Sequence, residues 1–338
     1  MMAEKHFIVI GNGPAGREAA TTLRTKDPHS RITVISREHH GHYQSRMLPD
    51  FICGRVKLPN LFTTPFDFYE ERGLKLRLGQ LVVSLDLDRR NLVLDHQEVI
   101  PFSGLIIAVG GKPRLPEPMM VFEDLMLTLK TVAEAKVWIE RLAAVDSVLI
   151  VGGDLTSFAL TKALLELGKQ VCFVFSQEAF WPMRCNQEIL EAAARTLTDK
   201  GVEIVPGRLK TIARLPDARL KVATDQAAVE VGLVGAFFGL VPDVRFLAGS
   251  GLQIERGILV DEYLNTGFEN VYAAGDCAQV YHPELRDYWV SIGYDNAVNL
   301  GRIAAENMTG GLEKVKIEPQ SIFSGQGVRA NTSWWMEF

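Results

Sequence analysis

A glycine-rich segment near the start of the chain, residues 7–16 with the sequence FIVIGNGPAG, constrains the fold more than any other feature. Its leading apolar residues are typical of a strand buried on both faces. The glycines that follow have the spacing of a turn that binds dinucleotides. Gly11 permits the tight turn, Gly13 lets the backbone approach a diphosphate, and Gly16 lets a helix pack close to the strand. The segment predicts a nucleotide cofactor bound by the turn residues Gly11, Gly13, Pro14, Ala15 and Gly16.

The residues after this turn fit a βαβ unit that binds a nucleotide. The pattern predicts a helix over 14–26, whose unpaired amides near Pro14 would hold the diphosphate, and a second strand over 31–35. Glu38 follows about 20 residues after the third glycine, where an acidic side chain is expected to accept hydrogen bonds from an adenosine ribose. The alternative is that Glu38 is a solvated loop carboxylate.

Composition excludes several classes of protein. The 338 residues, 47% of them hydrophobic and 23% charged, are typical of a globular protein with about two domains. A net charge of −5 provides no basic stripe for nucleic acid, and no apolar run approaches the roughly 18 residues of a membrane span. No signal peptide is predicted, so we expect a cytoplasmic protein. The cysteines form no C-x-x-C pair, and we interpret them as reduced thiols without a metal or iron-sulfur site.

The segment at residues 43–54, YQSRMLPDFICG, extends the glycine turn and Glu38 into a resemblance to a known family. The chain resembles pyridine nucleotide-disulfide oxidoreductases, in the branch of rubredoxin and nitrite reductase flavoproteins. The matching residues are Leu48, Pro49 and Gly54. Members with a single reactive cysteine carry it at the position of Arg46. Because an arginine cannot act as the nucleophile, we do not expect chemistry based on a cysteine.

The resemblance makes Arg46 the candidate catalytic residue. It implies a position near the reactive face of a flavin ring, where Arg46 would stabilise an anionic flavin or bind an anionic substrate. An ordinary surface role is the equal alternative. Cys53, further along the same predicted helix, is interpreted as a small packing residue.

Two later segments imply that the cofactor is FAD. A buried strand over 105–108 ends where the resembled family has an alanine-threonine-glycine turn next to the flavin. A second strand, over 271–274, precedes an aspartate that in those flavoproteins bonds a ribityl hydroxyl, which NAD does not have. The alternative for this aspartate is the N-cap of a helix that directly follows it. A separate helix is expected over 291–308. The implied FAD ligands in these two segments are Ala108, Val109, Gly110, Gly275 and Asp276.

Residues from about 119 to 245 repeat the first unit, with strands predicted over 147–151 and 170–175 and a helix over 154–167. The resemblance implies that NAD(P)H binds in this repeat, near Gly152, Gly153, Glu178 and Gly239. Glu178 is the candidate ligand of an NAD ribose, and no pair of arginines marks the 2′-phosphate of NADP.

The phosphate turn of the repeat departs from the family pattern, because Asp154 and Ser157 replace its second and third glycines. The carboxylate of Asp154 would repel a diphosphate and cap the helix amides that the diphosphate needs. Two readings stay open: a functional NAD(P)H site, and a vestigial one.

The sequence therefore predicts an α/β fold with two Rossmann-like dinucleotide-binding domains. Each has three layers around a central parallel sheet, and a β-meander lies within residues 74–99. The FAD domain is interrupted by the NAD(P)H-type domain. The predicted limits are 1–116 and 246–310 for the FAD domain, 117–245 for the NAD(P)H-type domain, and 311–338 for a C-terminal tail with the aromatic sequence SWWMEF.

The function implied by the resemblance is that of an FAD-dependent oxidoreductase. Hydride would pass from NAD(P)H to FAD, and electrons would continue to a protein or small-molecule acceptor. The alternative is an FAD-containing electron-transfer subunit of a larger redox complex that does not bind NAD(P)H. That alternative accounts for Asp154 and for an aromatic tail that docks a partner subunit. A flavin-dependent sensor or scaffold without turnover is a third reading.

Overall fold

The computed structural model describes residues 5–65, 67–176, 179, 187–284, 286–290 and 293–316. This part of the chain forms two compact units. The first contains the described residues within 1–44, 62–112 and 241–317, and the second contains 45–61 and 113–240. The domain limits predicted near residues 116 and 245 stay predictions.

Helices and strands alternate along much of the chain. The α-helices of the described residues are α1 Pro14–Lys26, α2 Leu48–Ile52, α3 Leu58–Leu61, α4 Asp67–Glu71, α5 Val132–Leu142, α6 Leu155–Glu166, α7 Gln187–Asp199 and α8 Tyr294–Met308. In the same residues, 3₁₀ helices cover Ser45–Met47, Glu117–Leu125 and Arg245–Leu247.

The strands are short, and most belong to small sheets. In the described residues they are β1 His6–Ile10, β2 Arg31–Ile35, β3 Leu74–Arg77, β4 Val82–Asp86, β5 Asn91–Leu94, β6 Val99–Pro101, β7 Gly104–Ile107, β8 Gly111–Pro113, β9 Ser147–Gly152, β10 Gln170–Phe175, β11 Glu203–Ile204, β12 Leu209–Arg214, β13 Leu220–Thr224, β14 Ala228–Val231, β15 Leu233–Phe237, β16 Leu240–Pro242, β17 Ile258–Val260, β18 Val271–Ala273, β19 Ala278–His282 and β20 Asp287–Val290.

The first unit is built on a parallel five-stranded sheet with the order β18-β7-β1-β2-β3. Strands β1 and β7 are buried along almost their whole length, as continuous apolar runs in a parallel sheet require. Helices α1 and α8 pack together. A Cβ at Gly301 would overlap the carbonyl oxygen of Ala15, so glycine allows this close approach. The strands and the helix predicted for the first βαβ unit are confirmed.

Two smaller sheets complete the first unit. Strands β4, β5 and β6 pair antiparallel in chain order, which confirms the predicted meander. Its first turn contains Arg90 with a φ of 53°, at the predicted junction between the strands. Strands β17, β19 and β20 form the other sheet, in which β17 and β19 are parallel and β19 and β20 antiparallel.

The second unit repeats this plan with a parallel four-stranded sheet, in the order β11-β10-β9-β15. Strands β12, β13 and β14 form an antiparallel sheet beside it. Helix α5 begins at a capping box in which Thr131 and Glu134 bond each other's backbone amides. Helix α2 contacts α5 and α6, and Arg55 forms ion pairs with Asp50 and Glu166. These contacts join residues 45–61 to the second unit. The predicted α/β fold class is confirmed.

Candidate functional site

In the glycine turn of the first unit, the fold requires glycine at two positions but not at the third. Gly11 has a φ of +109°, and a Cβ there would overlap the carbonyl oxygen of Ala108. A Cβ at Gly16 would overlap the carbonyl oxygen of Gly11. Gly13 has a φ of −75°, which any residue adopts, and a Cβ there would meet no atom within 4 Å. The space beside Gly13 is therefore open to a ligand.

Helix α1 begins at this turn without a protein cap. Gly13 is its N-cap residue, Pro14 follows at the start of the helix, and no side chain bonds the first amides. The first turn of α1 also contains no acidic residue. Uncapped amides at the positive end of a helix dipole form a binding site for an anion such as a diphosphate.

Buried polar atoms without a partner surround the same turn. Among the described residues, four buried side-chain nitrogen or oxygen atoms have no hydrogen-bond partner, and three of them lie here: Asn12 Nδ2, Arg17 Nε and His42 Nε2. The hydroxyl of Tyr69 donates to Asn12 Oδ1 at 2.6 Å, which leaves only the amide nitrogen of Asn12 unpaired. An unsatisfied buried polar group costs about 1–3 kcal/mol. These atoms fit a polar ligand that pairs with them.

The protonation state of His42 follows from its partner. Its Nδ1 lies 3.0 Å from the carbonyl oxygen of Asn12. Because a carbonyl only accepts, Nδ1 carries the proton and Nε2 presents a lone pair. Burial lowers the pKa of His42, as does the nearby charge of Arg17, whereas the bond to Asn12 raises it. A neutral His42 suits a ligand hydroxyl, and Asn12 Nδ2 suits a phosphate or carbonyl oxygen.

Glu38 lies near this turn, just after β2. It is half-buried, and Tyr43 donates its hydroxyl to Glu38 Oε2 at 2.7 Å. Strands β1, β2, β7 and β18 are parallel, so their carboxyl ends meet at one edge of the sheet. That edge is where open α/β sheets bind their ligands. The structure therefore brings Glu38 to the same edge as the glycine turn.

The residues after β7 and β18 reach the same edge. The amide of Ala108 donates to Ile10 at 2.8 Å, which places Ala108 beside the turn. A Cβ at Gly275 would lie 3.0 Å from the Cβ of Ala15. Val109 is half-buried and Gly110 has a φ of +63°.

Asp276 is half-buried directly after Gly275. Its charge helps to raise the pKa of the buried Cys277 to about 11, although burial is the larger cause. The alternative role of Asp276 as the N-cap of a following helix is wrong, because the element that follows it is strand β19, Ala278–His282.

Arg46 and the described cysteines lie in different segments of the chain. Arg46 is exposed, lies in the 3₁₀ helix Ser45–Met47 and belongs to the second unit, so its position near a flavin stays a prediction. Cys53 caps the C-terminus of α2. Burial is the main cause that raises the pKa of Cys172, to about 12. Cys185, Glu178 and the aromatic tail lie outside the described residues.

The turn of the second unit corresponds to the first at two positions, its first glycine and its helix N-cap. Gly152 has a φ of +121°, and a Cβ there would overlap the carbonyl oxygen of Phe237, as at Gly11. Gly153 has a φ of +127°, which also favours glycine. Asp154 is the N-cap of α6, with φ −73° and ψ 173°, against φ −75° and ψ −172° at Gly13. The two N-cap residues therefore correspond in conformation and differ in side chain.

The carboxylate of Asp154 occupies the second turn. Its Oδ1 accepts from the amide of Ser157 at 3.0 Å, and its Oδ2 accepts from the amide of Gly239 at 3.2 Å. Burial raises the pKa of Asp154 to about 6, against the bonds from these amides and the charge of Lys130, which lower it. A diphosphate would need the same amides at the N-terminus of α6. The ionised carboxylate of Asp154 therefore competes with a diphosphate for the amides of this turn.

Sequence reasoning missed four residues of the first site, namely Asn12, Arg17, His42 and Tyr69. Asn12 stands inside the motif, so its position between two glycines was a usable indication. His42 and Tyr69 reach Asn12 from loops and helices remote in sequence. No local pattern marks them. In the described part of the chain, no group of three or more metal-ligating side chains occurs, and no helix is long and apolar enough to span a membrane.

A protein-family model matches most of the chain. Residues 5–299 match the family model described as pyridine nucleotide-disulphide oxidoreductase. The chain is 27% identical over 294 residues to nitrite reductase [NAD(P)H] of Bacillus subtilis, covering 82% of this chain but only 35% of that protein. It is 27% identical over 334 residues to the nitric oxide reductase FlRd-NAD(+) reductase of Salmonella gallinarum, covering 97% of this chain and 88% of that protein.

Solved structures share the fold. Putidaredoxin reductase, in its covalent complex with putidaredoxin, superimposes with a TM-score of 0.83 at 21% identity, over 93% of this chain and 77% of that one. The water-forming NADH oxidase of Lactobacillus brevis gives a TM-score of 0.82 at 20% identity, over 92% of this chain and 71% of that one. At these identities the likeness establishes the fold alone.

Proposed function

Since the chain belongs to the pyridine nucleotide-disulphide oxidoreductase family, we propose that it transfers hydride from NAD(P)H to FAD and passes the electrons to an acceptor protein. Membership confirms the predicted family and enzyme class, because the family consists of oxidoreductases that use FAD and NAD(P)H. The observation that carries the FAD site is the first glycine turn, where an uncapped helix and three unpartnered buried nitrogen atoms meet. The NAD(P)H step is proposed from membership of the family. FAD, when bound, supplies the redox chemistry, and the protein supplies position and electrostatics.

In this proposal, different residues of the first unit bind different parts of the FAD molecule. The amides at the start of α1 hold the diphosphate beside Gly13, and Asn12 Nδ2 donates to one of its oxygen atoms. Glu38 accepts from the adenosine ribose, and Asp276 accepts from a ribityl hydroxyl. His42 Nε2 accepts from a further hydroxyl of the cofactor.

We propose a protein as the electron acceptor because of the relatives. The Salmonella relative is named a reductase of FlRd, and putidaredoxin reductase forms a complex with putidaredoxin. We therefore propose a small redox protein as the partner of this chain. The proposed compartment is the cytoplasm, where NAD(P)H is available as the electron donor.

The test is an anaerobic titration of the purified full-length chain. We expect bound FAD to be seen as a flavin absorption spectrum, and addition of NADH or NADPH to bleach it. A protein without flavin after reconstitution with excess FAD would refute the cofactor site. Bound flavin that stays oxidised with both nucleotides, yet is reduced by dithionite, would refute the NAD(P)H reaction.

A second function is favoured by one observation, the carboxylate of Asp154 in the second turn. In this alternative, the chain is an FAD-containing electron-transfer subunit that receives electrons from a partner protein. The same titration separates the two, because only the alternative predicts a flavin that dithionite reduces and neither nucleotide does.

A further inference from the structure

The two glycine turns of the chain correspond in backbone at their first glycine and at the helix N-cap, and they differ in what occupies them. Gly11 and Gly152 both have a positive φ, and a Cβ at either would overlap a carbonyl oxygen of a neighbouring strand end. The N-cap residues that follow have φ values of −75° and −73°. In the first turn the N-cap is Gly13 and the space beside it is open, whereas in the second it is Asp154.

Asp154 uses both of its carboxylate oxygens on the turn itself. One accepts from the amide of Ser157 in the first turn of α6, and the other accepts from the amide of Gly239, which follows β15. Gly239 stands after β15 as Gly110 stands after β7, and both have a positive φ. The carboxylate thus lies between the helix terminus and the neighbouring strand end, which is the place of a dinucleotide diphosphate.

We propose that Asp154 is a specificity-determining residue that holds the second turn closed to the diphosphate of a dinucleotide. The chain then binds NAD(P)H weakly through this turn unless the carboxylate is displaced. This inference rests on the proposed function, in which the second unit is the NAD(P)H-type unit of an FAD-dependent oxidoreductase.

Asp154 is the residue of the second turn whose carboxylate takes the amides of Ser157 and Gly239. Gly152 and Gly153 keep positive φ values, which glycine permits without strain. Ser157, at the position of Gly16, is buried, and its hydroxyl donates back to the carbonyl oxygen of Asp154 at 2.6 Å. Its hydroxyl is therefore paired with the backbone of the turn. Glycine at position 154 would have the backbone that Gly13 already adopts.

A purely structural role for Asp154 makes a different prediction. As a helix N-cap, its loss would lower the stability of the fold and leave nucleotide affinity unchanged or weaker. As the residue that closes the turn, its loss would strengthen binding. The direction of the change in affinity therefore distinguishes the two roles.

The experiment compares wild type with Asp154→Gly and Asp154→Asn in the full-length chain loaded with FAD. NAD⁺ binding is measured by calorimetry, and NADH binding by anaerobic flavin reduction. We expect Asp154→Gly to lower the dissociation constant of NAD⁺ by at least about tenfold, because a like charge and a competing acceptor are removed. Asp154→Asn, which keeps a cap but removes the charge, is expected to give a smaller gain.

Thr131→Gly is the matched control, because it removes the N-cap of α5 in the same unit. It is expected to lower thermal stability without a gain in NAD⁺ affinity. The proposal is overturned if Asp154→Gly binds NAD⁺ no more tightly than wild type, or if Thr131→Gly gains as much. If Asp154→Gly does not fold, the comparison of Asp154→Asn with wild type decides. FAD content and dithionite reduction are recorded for each variant, so failure of the FAD site is recognised separately.

Discussion

The sharpest test of what these two turns bind is to place the aspartate of the second turn at the corresponding position of the first. Gly13 and Asp154 have matching backbone angles, and a Cβ at Gly13 would meet no protein atom within 4 Å. Gly13→Asp is therefore expected to fold without strain. Its carboxylate would cap α1 as Asp154 caps α6, and it would lie where the FAD diphosphate is proposed to bind.

The expected loss of FAD affinity is large. Two unit charges about 4 Å apart at an effective dielectric constant near 20 repel by roughly 4 kcal/mol, which corresponds to about a thousandfold in affinity. Screening by solvent lowers this toward a hundredfold. An aspartate N-cap in place of glycine is expected to stabilise the protein without FAD by only a few tenths of a kcal/mol.

The assay is reconstitution of the apoprotein with FAD, followed by quenching of flavin fluorescence, with thermal unfolding of the same apoprotein as the measure of stability. Gly13→Asn is the matched control, because it has nearly the size of aspartate but no charge. We expect Gly13→Asn to lose far less affinity than Gly13→Asp, at equal apoprotein stability. Wild-type FAD affinity in Gly13→Asp, or equal losses in both variants, would refute the reasoning.

Three further predictions follow from the same geometry. Gly16→Ala is expected to lower the unfolding temperature by several degrees, because its Cβ would overlap the carbonyl oxygen of Gly11. Gly41→Ala, whose Cβ would lie in open space, is expected to leave the unfolding temperature unchanged, and differential scanning fluorimetry measures both variants. His42→Ala is expected to weaken FAD binding by about tenfold in the reconstitution assay, since a buried hydrogen bond to the cofactor is lost, and an unchanged affinity would contradict that bond. Calorimetry from pH 5 to pH 7.5 is expected to find NAD⁺ affinity falling several-fold, because Asp154, with a pKa raised to about 6, is neutral at low pH and ionises as pH rises; a flat wild-type profile would contradict this.

The sequence predicted the local parts of the fold well, because their causes are local. Continuous apolar runs marked the buried parallel strands, and the predicted helix over 14–26 matches α1 at Pro14–Lys26. The conflict between Asp154 and a diphosphate was also visible, because the glycine spacing assigns that residue to the N-terminus of a helix. These predictions depend on residues a few positions apart.

Contacts between segments remote in sequence were not predictable in the same way. The bond between His42 and Asn12 depends on how the loop after β2 returns to the turn, and that of Gly239 to Asp154 joins residues from two ends of the second unit. Nor did the sequence indicate that residues 45–61 group with the second unit. Arg46 belongs to that segment, so its predicted role at the flavin depends on an arrangement that no local pattern specifies.

The two turns together indicate which position of a glycine motif carries information about the ligand. Gly11 and Gly152 are fixed by backbone geometry, since any side chain there would strike a neighbouring carbonyl whether or not a cofactor binds. Position 13 and its counterpart 154 have an ordinary φ that accepts any residue, so the fold does not demand glycine at either. Glycine at position 13 leaves the turn open to a ligand, whereas aspartate at position 154 caps its own helix. A match to the first glycine of such a motif thus predicts the turn, whereas the N-cap residue predicts whether the turn is open to a diphosphate.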